Sequence, residues 1–375
     1  MIKSVLNRYK SFPIEVKASL WFLICSFLQK GISTVTTPIF TRIMNTTEYG
    51  QYNVFNSWLS IASIFVSLSL TGGVYAQGLV KFEKDRNVFT SSLQGLTLLL
   101  VAVWMVIYFI FHDFWNQLFT LSSVQMIAML VIIWTTAVFS FWSTEQRVNY
   151  KYKALVVITL VVSLAKPMVG IFCVSVTNDK VSARILGIAL VELIGYAWLF
   201  FIQVKRGEVL FSKKYWVYAL SFNLPLVPHY LSQTVLNSAD RIMIRDLVGP
   251  SDAGIYSLAY SISLLMLLFN TALMQTINPW IYRKIKDKSI KDISSVAYST
   301  LMALACLNLL LIVLAPEVVA IFAPPTYYDA IYVIPPVAMS GYFMYMYDLF
   351  AKFAFYYEKT KFVMIASVTG AILNI

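Results

Sequence analysis

Charge is scarce in this 375-residue chain: Asp, Glu, Lys and Arg make up 13% of it, about half the roughly 25% of a soluble domain. Histidine is scarcer still, with His112 and His229 the two in the sequence, and cysteine occurs three times, at Cys25, Cys173 and Cys306. The cysteines lack the paired spacing of a zinc or redox centre, which excludes a cysteine-metal framework; they read as small apolar packing residues. No GxxxxGK[ST] loop and no HExxH pair occurs. Phosphate-loop ATP hydrolysis and zinc-peptidase chemistry are therefore not written into the chain, and ATP-driven transport would need another subunit. Asn45-Thr46-Thr47 has the spacing of a glycosylation acceptor, a pattern of low specificity that here abuts a hydrophobic run.

What fills the space is apolar. Hydrophobic residues reach 59% and the mean hydropathy is +0.72, more than a soluble core can hide. A helix rising about 1.5 Å per residue needs about 20 apolar residues to cross roughly 30 Å of hydrocarbon, with every backbone polar group satisfied inside the segment. Ten runs of that kind are legible, near 18–38, 52–77, 89–111, 122–142, 154–176, 185–203, 216–237, 254–276, 297–315 and 330–348. An eleventh begins at Phe362 and meets the end of the sequence at Ile375 after 14 residues, too few to cross, so the natural protein is expected to continue. The first run follows Lys3, Arg8, Lys10 and Lys17, yet it is too long for a signal-peptide core and lacks a clear cleavage site, so it reads as a retained span.

Basic residues orient the spans. With a cytoplasmic N-terminus, 22 of the 29 Lys and Arg fall on the cytoplasmic side, among them Lys81, Lys84 and Arg86, Lys205 to Lys214, and the cluster Arg283 to Lys291. Arg42, Lys180, Arg184, Arg241 and Arg245 fall on the other side, and Lys30 and Lys166 lie within spans. This asymmetry absorbs most of the +11 net charge and makes nucleic acid an unnecessary partner; the lipid bilayer is the expected one. Trp21, Trp115, Trp142, Trp216 and Trp280 near span ends suit an interfacial aromatic belt.

A repeat organises the runs. TTEYGQYN at 46–53 and PSDAGIYS at 250–257 share a hydroxyl, an acid, a glycine and a tyrosine in order, 204 positions apart. A hydroxyl and an acid ahead of a helix also form an N-terminal cap, so chance agreement of two capped turns is the simpler alternative. The same offset carries the basic loop 81–86 onto 285–290, which favours duplication. Six spans separate the copies, giving both the same polarity, as in transporters whose halves are parallel repeats. The expected fold is an all-α polytopic membrane protein of two parallel-related helical lobes around a central cavity, 1–203 and 204–375, the second incomplete.

Polar residues recur at helical spacing on four spans: Ser26, Lys30, Thr34, Thr37 and Thr41; Asn53 to Thr71; His229, Gln233, Asn237 and Arg241; and Tyr256, Tyr260, Ser263 and Asn270. Helix packing through small hydroxyl residues explains such stripes too; their concentration in the first two spans of each half favours a wet cavity. Lys30 lies near mid-span, where an isolated lysine costs about 2.5 to 3.5 kcal/mol, and no acid shares its stripe, so it reads as a cation for an anionic substrate. Lys166 and Glu192 match in depth on adjacent spans and read as a structural pair, with a transport role as the alternative. Arg42, Asp240, Arg241 and Arg245 form either an interfacial cluster or an outer mouth. His229 titrates in the physiological range or simply packs, beside Pro225 and Pro228.

The strings TPIFTRIMNTTEYGQYNVFNSW at 37–58 and SADRIMIRDLVGPSDAGIYSLAYSI at 238–262 resemble the Wzx-type polysaccharide-biosynthesis flippases of the multidrug/oligosaccharidyl-lipid/polysaccharide exporter superfamily. The resemblance implies two six-helix lobes in a bacterial inner membrane. It also implies an undecaprenyl-diphosphate-linked oligosaccharide substrate, moved by alternating access, and a polysaccharide polymerase as a partner. Lys30 is then the first contact for the diphosphate, with Arg241, Arg245 and Arg42 around it. No cofactor is expected; coupling to H+ or Na+ would fall to Asp240, Glu192 or His229. A drug antiporter of the same superfamily would favour acidic or aromatic cavity groups. A membrane-embedded polymerase would carry a large outer loop, and no outer loop here exceeds about 20 residues.

Overall fold

The computed structural model describes residues 13–357 and, beyond them, 365, 366, 369, 370 and 373. The segment from Phe362 to Ile375 therefore lies largely outside the described residues. The described residues form fourteen α-helices and no strand: α1 (Ile14–Ile43), α2 (Thr46–Ser67), α3 (Gly73–Lys81), α4 (Arg86–Ile110), α5 (His112–Phe119), α6 (Ser123–Val148), α7 (Tyr152–Val176), α8 (Lys180–Gly207), α9 (Lys213–Asn223), α10 (Val227–Leu247), α11 (Pro250–Lys286), α12 (Ile290–Val313), α13 (Ala315–Phe322) and α14 (Ala330–Tyr356). Among the described residues, seven segments are long and apolar enough to cross a membrane: α1, α4 with the turn ahead of it, α6, α7, α8, the Pro250–Thr271 part of α11, and α12.

Three further runs legible in the sequence take a different form. The run near 52–77 is broken after Ser67, where Leu68 and Ser69 adopt φ of 48° and 50°. The Ser67 hydroxyl donates to the Ser63 carbonyl at 2.6 Å and accepts from the Ser69 N–H at 3.3 Å, and such local bonds compete with the helical ladder. The run near 216–237 is broken by a 3-10 turn at Leu224–Leu226, because Pro225 has no N–H and disfavours helix in the residue before it. The run near 330–348 becomes part of α14, which accommodates Pro335 and Pro336 internally.

Contacts divide the chain into two compact units, residues 1–39 with 58–231 and residues 40–57 with 232–375. Helices α1, α2 and α10 each pass from one unit to the other along their length.

In the first unit α8 packs along α4, α6 and α7. Val138, Trp142, Leu155, Val162, Tyr196 and Leu199 form a core between α6, α7 and α8. A second, aromatic core joins Tyr75, Phe89, Phe141 and Tyr215, so that α9 is built into this unit. Tyr215 donates to Asp85 at 3.1 Å, and burial together with that carboxylate raises its phenol above the ordinary tyrosine pKa. Two acids are held in the interior. Glu192 binds Lys166 at 2.5 Å and accepts from Thr135 and Thr136 at 2.8 and 3.0 Å. Glu145 accepts from Arg206 at 3.0 Å and from Gln203 at 3.1 Å, and the Gln203 side-chain Oε1 accepts from Gln94 at 2.6 Å.

The second unit is organised by α11 lying along α14, with α12 against both. Met274, Ile281, Ile285, Leu304, Tyr345 and Leu349 close its core. With 37 residues, α11 is roughly 55 Å long at about 1.5 Å per residue. It therefore carries Arg283, Lys284 and Lys286 well past its apolar part. Lys284 is bonded to Asp292 at 2.6 Å, which raises the ammonium pKa above the usual lysine value. This pair is intact at neutral pH and is lost only as pH rises through that raised value.

Candidate functional site: paired helix elbows and a cleft in the second unit

The two copies of the repeat are helix starts that lie against each other. Asn45 caps α2 reciprocally with Glu48: the Glu48 N–H donates to the Asn45 side chain at 2.8 Å, and the Asn45 N–H donates to the Glu48 carboxylate at 2.8 Å. At the second copy Pro250 occupies the first turn of α11, where its missing N–H costs nothing. Gly50 faces the Pro250 carbonyl and Gly254 faces the Thr46 carbonyl so closely that a Cβ at either position would overlap backbone. The Ser251 hydroxyl donates to Thr46 at 2.8 Å beside this crossing. Because Thr46 and Gly50 become 250 and 254 on adding 204, the contact is reciprocal: each copy offers its glycine to the other's first residue. That is the pattern of a two-fold interface.

The first elbow is further held within the second unit. Thr41 donates to the Phe322 carbonyl at 2.6 Å and Arg42 to the Ile321 carbonyl at 2.9 Å. Both carbonyls belong to the last turn of α13, where a cation is favoured. Tyr327 is fully buried, meets Tyr49 edge to face with ring centroids 6.0 Å apart, and donates to the Met44 carbonyl at 3.2 Å.

Beside the elbows a cleft of about 680 Å³ opens between α10, α11 and α14. One part of its wall is polar, with Asn237, Asp240, Tyr256, Tyr260, Ser263 and Ser340; the rest is aliphatic. Asp240 accepts from the Tyr256 hydroxyl at 2.8 Å. The Arg241 guanidinium stands 4.2 Å from the Tyr260 ring centroid and donates to the Asn237 carbonyl at 3.3 Å. Ser263 Oγ is buried without a hydrogen-bond partner, and so is Asn270 Oδ1, whose amide nitrogen donates to the Gly341 carbonyl at 2.6 Å. The wall thus combines a carboxylate, aromatic faces and apolar surface, as amphiphile sites do.

The other charges picked out in the sequence are distributed as follows. Lys30 lies near the middle of α1, exposed, with no carboxylate partner among the described residues. The hydroxyls that share its stripe are satisfied within the helix: Ser26, Thr34 and Thr37 each donate to the carbonyl four residues back, at 2.9 to 3.0 Å. Arg245 is bonded to Asp246 at 2.7 Å. His229 is exposed at the start of α10, its ring 5.9 Å from that of Tyr230. Lys30, Lys166, Glu192 and His229 belong to the first unit, and Arg42, Asp240, Arg241 and Arg245 to the second. Glu145 was not singled out in the sequence, where it stands just past the run ending near 142. Its burial, at 9% exposed, follows from α6 continuing to Val148.

Architecture and relatives agree on a class. The fold resembles that of an inward-facing MATE family transporter of the MOP superfamily, a multidrug resistance protein. The TM-score is 0.65 over 92% of this chain and 84% of that one, at 10% identity. Residues 225–375 also match the family described as MatE, and the chain has the all-α polytopic fold of that neighbour. Residues 16–284 match the family described as "Polysaccharide biosynthesis protein", and the chain belongs to that family. Similar proteins from Haemophilus influenzae are "Lsg locus putative protein 1", 22% identical over 96% of this chain and 89% of its own length, and an "Uncharacterized membrane protein", 20% identical over 96% and 88%.

Proposed function

We propose that this chain is a flippase for a lipid-linked oligosaccharide. It moves an undecaprenyl-diphosphate-linked repeat unit, of O-antigen, capsule or a related glycan, from the cytoplasmic to the periplasmic leaflet of a bacterial inner membrane by alternating access. In this reading residues 1–203 and 204–375 are the two lobes, the N-terminus is cytoplasmic and a polysaccharide polymerase consumes the product. Family membership supports the polysaccharide setting, and Lys30 carries the anionic substrate. An ammonium at mid-span without a carboxylate is costly in hydrocarbon, and a diphosphate offsets that cost with charge-assisted hydrogen bonds. Arg241 and Arg245 supply second contacts, the glycan meets hydroxyls and amides, and the polyprenyl tail stays in lipid. Asp240, Glu192 and His229 are the groups through which H+ or Na+ would couple.

Lys30→Ala and Lys30→Arg separate charge from packing. The alanine variant is expected to lose glycan export by tenfold or more, the worth of about 1.4 kcal/mol, while the arginine variant retains most of it. Export by the alanine variant at the wild-type rate removes Lys30 from the site.

A second reading rests on the cleft. Asp240 with the Tyr256 and Tyr260 rings is suited to a lipophilic organic cation, as in a drug antiporter of the same superfamily. Efflux of a cationic dye that disappears in Asp240→Asn, with glycan export unchanged, selects that reading for the cleft; absence of dye efflux from the wild type rejects it.

A further inference from the structure

We infer that a cavity inside the first unit is a binding site for one hydrocarbon chain of a bilayer phospholipid, a ligand distinct from any transported substrate. The cavity lies between α2, α4, α5 and α6 and measures about 320 Å³. Trp58, Phe65, Trp104, Trp115 and Phe119 give it aromatic walls, Met126 and Met129 line it from α6, and no charged side chain borders it.

The lining selects hydrocarbon. A buried water needs about two to four polar partners, and an apolar cavity of about 150 Å³ stays dry and takes up benzene; this one has about twice that volume. The Tyr108 hydroxyl is engaged, donating to Asn116 at 3.1 Å, and the Trp58 and Trp115 indole nitrogens are themselves buried, so the walls give water little to bond. Without a cation in the lining, a lipid phosphate has no reason to enter. If a methylene takes about the room of a water molecule, about 30 Å³, the space holds roughly ten chain carbons. That is a large part of an acyl chain and a small part of an undecaprenyl tail.

The space is braced against collapse. The short helix α5 closes one side, and Asn116 ties it to both neighbours, accepting from Tyr108 on α4 and donating to Ser123 on α6 at 2.9 Å. Trp115 stacks on Phe119 with ring centroids 5.7 Å apart, and Phe119 meets Trp58 edge to face at 4.5 Å. Walls that cannot close leave an empty cavity costly in proportion to its volume, and a chain that enters restores the dispersion contacts the lining lacks.

A source of chains adjoins the opening. Phe65 and Leu118 both line the cavity and are exposed, and α4 and α5 also expose Val103, Val106 and Phe114. Because α4 belongs to a membrane-crossing segment, this surface meets lipid.

The test uses depth. The full chain is reconstituted in vesicles of phosphatidylethanolamine and phosphatidylglycerol, part of the latter bearing a diazirine on one acyl chain, then illuminated and mapped by peptide mass spectrometry. Met126 and Met129 are 5% and 1% exposed, beyond the reach of lipid that stays on the outer surface. Adducts are expected on one or both methionines. Ala62 also lines the cavity, and Ala62→Phe is expected to lower those adducts at least tenfold, with the smaller Ala62→Leu intermediate. Adducts on the exposed Phe109 and Ile110 are expected to stay at the wild-type level in both variants, which reports that the unit is folded. Absence of adducts on both methionines of the wild type, or adducts undiminished in both folded variants, overturns the proposal. Displacement of the adducts by undecaprenyl phosphate but not by an equal amount of unlabelled phosphatidylglycerol also overturns it, by giving the cavity to an isoprenoid tail.

Discussion

Lys166→Ala is expected to destabilise the first unit by about 3 kcal/mol. Glu192 is 4% exposed, and removing one partner of a buried pair leaves an uncompensated charge whose cost is about 3 to 5 kcal/mol. The lower figure applies because Thr135 and Thr136 still donate to Glu192 and because the Lys166 side chain is 31% exposed. Thermal melting of the solubilised protein checks this. Lys166→Met combined with Glu192→Leu is expected to recover most of the loss, since an apolar pair of similar volume is often as stable as a buried ion pair. A single alanine variant that melts like the wild type contradicts a structural role and returns the pair to the transport cycle.

The second large effect is expected at the elbow crossing. Gly254→Ala places a methyl group against the Thr46 carbonyl, and Gly50→Ala does the same against the Pro250 carbonyl. Neither neighbour is a flexible side chain that can turn away. Each variant is expected to lose most export while still reaching the membrane. If the two alanine variants export normally, the backbone contact is not a required state of the cycle.

Sequence alone reached the helical architecture because hydrocarbon leaves few alternatives: the apolar parts of α4, α6, α7, α8 and α12 stand out as runs near the length a bilayer demands. The elbows were visible as a repeated spelling, and the acid Glu48 was legible as a capping residue at a helix start, although its partner is the Asn45 amide rather than the expected hydroxyl. The reciprocity of the crossing was not, because two glycines 204 positions apart give no sign that they touch. The break after Ser67 was hidden for a related reason: a serine in a run of hydroxyls reads as part of a polar stripe, and only geometry shows it bonding locally. Arg42 could be placed near a span end, but its bond to the Ile321 carbonyl spans 279 residues of sequence. Glu145 escaped notice because a helix that continues past its apolar run carries polar residues into an interior that hydropathy does not predict.

The assignment of substrate is tested most directly by the leaflet in which lipid-linked glycan resides. In cells lacking this protein, undecaprenyl-diphosphate-linked glycan is expected to accumulate facing the cytoplasm. The wild-type chain is expected to restore its appearance on the periplasmic face, and the Lys30→Ala chain to fail to do so. Periplasmic delivery at the normal rate without the protein contradicts a flippase function.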